Sequence, residues 1–106
     1  MAPQPPGVYL IVEFDWPQII TKEMSMAARA LHDALQGKQT WIRETVAASN
    51  GVGSGPSSLW IFWLENYAAL DSLIPQAVDP ISGAFHVFFS HMQNVKQSLR
   101  DEVIFL

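Results

Sequence analysis

The sequence predicts an α+β fold, a four-stranded antiparallel sheet with its helices on one face. Three observations carry this. The hydrophobic period switches between two and 3.6 in the order strand, helix, strand, strand, helix, strand. Hydrophobic residues make up 49% of the 106 residues and charged residues 15%, a balance that excludes disorder and supports one core. The third is the single long Gly/Ser-rich stretch, Ser49 to Ser58, which reads as a loop or hairpin turn rather than as a domain boundary.

Residues 1–6 hold three of the seven prolines and form an extended lead-in, and residues 7–106 form a single domain. From Val8 the chain alternates, with Val8, Leu10, Val12 and Phe14 on one face and Tyr9, Ile11, Glu13 and Asp15 on the other. Pro17 terminates this first strand. Thr21 caps a helix from about Lys22 to Gln36, whose stripe is Met24, Ala27, Ala28, Leu31, Ala34 and Leu35, and Gly37 stands where a left-handed C-terminal residue belongs.

Gln39 to Ala48 is a strand of mixed faces, with Trp41, Arg43 and Thr45 on one side and Ile42, Glu44 and Val46 on the other, as an edge tolerates. Leu59 to Leu64 is apolar throughout, the mark of a central strand buried on both faces. Asn66 caps a helix carrying Tyr67, Leu70, Leu73 and Ile74, which Pro75 stops, and Pro80 with Gly83 marks a further break. A helical stripe follows from about Ala84, through Phe85, Phe88, Phe89, Met92, Val95 and Leu99, before a last short strand, Val103 to Leu106.

This order is the split β-α-β, ferredoxin-like arrangement, βαββαβ. Two helices cover one side of such a sheet. The other side would expose Tyr9, Ile11 and one face of the third strand, so a homodimer packed sheet to sheet is expected. The run L-W-I-F-W-L-E-N-Y-A-A-L-D-S-L, Leu59 to Leu73, resembles the third strand entering the second helix of the dimeric α+β barrel superfamily. The ending R-D-E-V-I-F-L, Arg100 to Leu106, is similar to the last strand of several members. That superfamily includes cofactor-free monooxygenases of antibiotic biosynthesis, polyketide cyclases and heme-degrading enzymes. The size and the aromatic second helical region also look like small accessory proteins of prodigiosin-type pigment biosynthesis. The resemblance implies a cofactor-free enzyme or an accessory factor in secondary metabolism. Its heme-degrading members use a helix histidine as axial ligand, and nothing singles one out here.

A net charge of −4 offers no basic footprint for nucleic acid. No stretch is long and apolar enough to span a bilayer or serve as a signal peptide, and a cytoplasmic location is expected. The absence of cysteine removes thiolate nucleophiles and thiolate metal sites. His86 and His91 lie five apart, about 140° around a helix, a poor metal pair, so neither a metal nor another cofactor is expected. Gly51, Gly53 and Gly55 precede no helix, which rules out a dinucleotide loop.

The candidate catalytic residues are Glu13, a carboxylate on an apolar strand face, and His86, a residue type suited to moving a proton. Each has a structural alternative: an ion pair of Glu13 with Arg43, and a backbone hydrogen bond for His86. Tyr9, Arg43, Trp60, Trp63 and His91 are the candidate ligand-binding residues, with a tryptophan as stacking wall for a flat aromatic metabolite. Rings on a sheet are as often core. His32 falls beside the helix stripe and reads as a boundary residue. The alternative to chemistry is a ligand carrier whose Ser49 to Ser58 loop contacts a pathway enzyme.

Overall fold

A computed structural model describes residues 5–37, 39–74 and 80–105. Residues 1–4 of the lead-in, the stop at Pro75 and the terminal Leu106 therefore lie outside the described residues. The elements are β1 (Val8–Asp15), α1 (Lys22–Leu35), β2 (Ile42–Ser49), β3 (Ser58–Leu64), a 3-10 turn (Tyr67–Ala69) running into the short α2 (Leu70–Leu73), α3 (Pro80–Ser90) and β4 (Gln93–Asp101). The sheet order is β2-β3-β1-β4, antiparallel throughout, with the first and third strands in the centre.

The two faces of β1 divide as its alternation predicts. Val8, Leu10, Val12 and Phe14 are buried beneath the helices, while Tyr9, Ile11, Glu13 and Asp15 are half-buried on the other side. On β3, Trp60, Phe62 and Leu64 face the helices, which leaves Leu59, Ile61 and Trp63 on the open side. Leu31 of α1, Leu73 of α2 and Phe85 and Phe88 of α3 close the core. Its aromatic rings meet edge to face, Phe14 on Phe88 at 5.5 Å and Trp60 on Phe88 at 5.4 Å. Thr21 Oγ1 accepts from the Met24 N–H at 3.2 Å, and Asn66 Oδ1 from the Ala69 N–H at 3.1 Å, so both predicted caps are present.

Several expectations are corrected. The last helix stops at Ser90, and the segment predicted to continue it is the strand β4. Val95 and Leu99 continue the helical spacing only by coincidence. A helix through Leu99 would leave the outer edge of β1 without backbone partners, and the strand supplies them from Val8↔Asp101 to Asp15↔Gln93. Asn94, at φ 53°, is the extra residue of a bulge there, a conformation asparagine tolerates. Residues 103–105 form no strand and are exposed, Phe105 at 91%. Pro80 opens α3 rather than breaking a helix, because the first turn needs no N–H from it, and Gly83 lies inside α3. Gly37 has no left-handed backbone, since α1 ends on the right-handed Gln36. A bulge at Arg43 places Ile42 on the buried face and Glu44 on the open one, so these two do not share a side.

Candidate functional site

The helical layer is built from α1 packed on α3, and the far end of β2 extends beyond it, with Val46 to Ser49 exposed. Ala47, Ala48 and Ser49 are small, so a cleft of about 530 Å³ opens between α1 and the adjoining ends of β2 and β3. Its inner wall is aromatic: Phe14 at the end of β1, Trp16 just beyond it, Trp60 on β3 and Phe88 on α3. Ser25, Ala28, Arg29 and His32 line the opposite side from α1, at the spacing of three and four that brings residues to one helix face. Ser49 and Ser58, paired across β2 and β3, close the sheet end.

The rim is polar and internally paired. His32 Nδ1 donates to Asp33 Oδ1 at 3.2 Å and Arg29 Nε to the same oxygen at 3.4 Å. The hydrogen bond from His32, with Arg29 adding charge, holds the Asp33 carboxyl below the usual range. This leaves the Nε2 edge of the His32 ring without a partner. Deeper in the cleft stands Ser58, a buried residue beside the aromatic wall. The Trp60 indole N–H, like that of Trp63, is buried without a hydrogen-bond partner.

The residues singled out from sequence fall in four places. Trp60 alone belongs to the cleft. Tyr9, Glu13, Arg43 and Trp63 lie on the open side of the sheet. There Tyr9 stacks on Trp63, ring centroids 5.9 Å apart, and the Arg43 guanidinium lies over the Trp63 ring at 5.4 Å. The bulge that re-aims Arg43 also brings it 3.6 Å from Glu102, and its Nη2 donates to the Pro5 carbonyl at 2.8 Å. Within the chain Arg43 thus pairs with Glu102 and not with Glu13, the structural alternative named above, and Glu13 sits between Leu59 and Lys96 in the sheet register. His86 lies outside the cleft and donates from Nε2 to the Ile74 carbonyl. His91 occupies the turn after α3.

Sequence reasoning missed Arg29, His32, Ser25 and Ser58. The signal was there for α1, because positions 25, 28, 29 and 32 form a second stripe beside the apolar one. Ser58 carried none. Among the described residues no group of three or more His, Asp or Glu converges as a metal site, and no helix is long and apolar enough to cross a membrane.

No family model matches the chain, and no curated protein matches its sequence. Solved structures match its fold. A dimeric protein of unknown function and ferredoxin-like fold from Bacteroides fragilis superposes with a TM-score of 0.63 at 14% identity, over 90% of this chain and 95% of that one. A dimeric ferredoxin-like protein of unknown function from Thermobifida fusca gives 0.65 at 13% identity, over 95% and 93%. A hydroxynitrile lyase from Passiflora edulis gives 0.71 at 14% identity, over 96% and 98%. The chain has the ferredoxin-like α+β fold.

Proposed function

We propose that this protein is a homodimer in which each subunit binds a flat, apolar aromatic molecule in the cleft between α1 and the sheet. The observation that carries the reading is the wall of Phe14, Trp16, Trp60 and Phe88 around about 530 Å³ of open space. Such a wall offers ring faces and edges to a planar guest, while the seryl and cationic rim orients its polar edge. Assembly supports it from the other side of the sheet. Ile11, Ile61, Leu59, Trp63 and Tyr9 form one half-buried apolar field, and covering about 800 Å² per subunit is ordinary for a stable dimer. Two of the similar structures are described as dimeric. In this arrangement Tyr9, Glu13 and Trp63 meet the second subunit rather than the ligand.

A role in secondary metabolism, pigment formation included, rests on the sequence resemblance. Where chemistry follows binding, His32 is the group positioned for it: Asp33 orients its ring and Nε2 is free to take or give a proton at the cleft rim. That one similar structure is a lyase favours this second reading.

The test uses N-phenyl-1-naphthylamine, whose fluorescence rises in an apolar site. The expected result is saturable binding of one probe per subunit, lost in Ala28→Phe, which fills the cleft from α1. Binding that ignores this substitution, or none at all, removes the reading.

A further inference from the structure

We infer that residues 103–105 form an apolar arm that packs against a second copy of this chain, beside the open face of the sheet. The inference rests on the homodimer proposed above and adds a segment to its interface. Val103, Ile104 and Phe105 are consecutive apolar residues, and Val103 is 71% and Phe105 91% exposed. Single exposed apolar side chains are ordinary, but a contiguous run of them marks a surface that meets something. Valine, isoleucine and phenylalanine favour extended backbone, yet the run belongs to none of the four strands.

The register explains why the arm has no ladder within its own sheet. The Glu102 N–H donates to the Gly7 carbonyl at 3.1 Å, one residue beyond the pair Val8↔Asp101. The next hydrogen-bonded pair of this antiparallel ladder would join Ile104 to Pro5. Pro5 has no N–H to give, and its carbonyl already accepts from Arg43 Nη2 at 2.8 Å, so the ladder stops and the arm leaves the sheet. Its point of departure is fixed. The Glu102 carboxylate accepts from the Gly7 N–H at 3.4 Å and lies 3.6 Å from Arg43, whose guanidinium covers Trp63. Trp63 stacks on Tyr9, so the arm begins at one corner of the apolar field that a second copy covers. In a two-fold dimer each arm reaches the other subunit, and every arm contact is made twice. Phe105 alone brings about 200 Å² of apolar surface, roughly a quarter of what each subunit of a stable dimer buries.

The experiment measures the dimer dissociation constant by sedimentation equilibrium for the wild-type chain, Phe105→Ser and Val52→Ser. Val52 is the control, a fully exposed apolar residue on the loop that joins Ser49 to Ser58, at the opposite end of the sheet. Phe105→Ser should raise the constant about a hundredfold, about tenfold for each of the two rings withdrawn from the interface. Val52→Ser should leave it unchanged. A wild-type dimer whose constant is the same in Phe105→Ser, or rises equally in Val52→Ser, overturns the inference and leaves the homodimer reading intact. A wild-type chain that sediments as a monomer at every concentration overturns the homodimer reading and this inference with it. Because Phe105 is exposed in the single chain, its loss removes no core contact, and matching far-UV circular dichroism spectra of the three proteins separate weakened association from unfolding.

Discussion

Replacing Arg43 by Met tests whether this side chain is part of the frame or part of a binding site. The substitution keeps the aliphatic stem and removes three contacts at once: the 3.6 Å approach to Glu102, the 2.8 Å hydrogen bond to the Pro5 carbonyl and the cation over Trp63. The two charged side chains are only 12% and 16% exposed, which places the pair between a surface bridge and a buried one. Surface pairs contribute up to about 1 kcal/mol, and breaking a fully buried pair costs about 3–5, so about 1.5 kcal/mol is the share of the ion pair. The charged hydrogen bond adds about 1 and the ring contact about 0.5. Because the three share one guanidinium, the expected loss is about 2–3 kcal/mol. At about 2.1 cal/mol/K of unfolding entropy per residue, the chain loses about 0.22 kcal/mol per degree, so the melting temperature should fall by about 10 °C. Circular dichroism at one fixed protein concentration reads the shift. A double-mutant cycle with Glu102→Gln should return a coupling of about 1 kcal/mol. Probe binding in the cleft should be unchanged. A melting temperature within about 2 °C of the parent, with no coupling to Glu102, refutes the structural assignment.

Gly7→Ala should destabilise the chain by about 2 kcal/mol in urea titration, because a Cβ there would lie 2.4 Å from the Leu64 carbonyl oxygen and 2.7 Å from the Trp63 indole nitrogen; an unchanged midpoint would contradict that contact. The Asp15 carboxyl is held below its ordinary value of 3.8, first by the Ser57 backbone N–H and then by the Asn94 amide. Its contribution is present above that value and lost as pH falls through the lowered one, so Asp15→Asn should lose less stability than the parent between pH 5 and pH 2, read as urea midpoints. Ile11→Glu, in the centre of the open sheet face, should shift the protein to monomers in sedimentation; a dimer that survives it places the interface elsewhere.

Strands buried on one side announced themselves. The alternation of Val8 to Asp15 is dictated by the core it faces, the run Leu59 to Leu64 was legible as a central strand although its open side, read as buried, is only half-buried in the single chain, and α1 could be read to within a residue because its stripe, its Thr21 cap and its length all agree. β4 could not be read in this way. Gln93 to Asp101 is a largely exposed edge with no apolar face to display, and only its pairing with β1 makes it a strand. The helical spacing of Phe85 to Met92 ran on by chance into Val95 and Leu99. The cleft was illegible for a related reason: it forms where α1, α3 and the ends of three strands meet, and no local pattern encodes a void. His32 was set aside because it stands off the apolar stripe, and that offset is what puts it at the rim.

The position of β1 between β3 and β4 governs the order in which this chain can become safe from aggregation. Val8 pairs with Asp101, so the central strand stays an open edge until a loop of about 90 residues has closed around it. Until then Val8 to Asp15 presents an apolar strand with one row of unsatisfied amides, a template for any other nascent copy. A chain stopped before Gln93 would keep its whole aromatic core and still lack the strand that seals it. Such fragments should collect in inclusion bodies rather than fold to smaller domains, and the polar, bulged β4 acts as the internal chaperone of the sheet it completes.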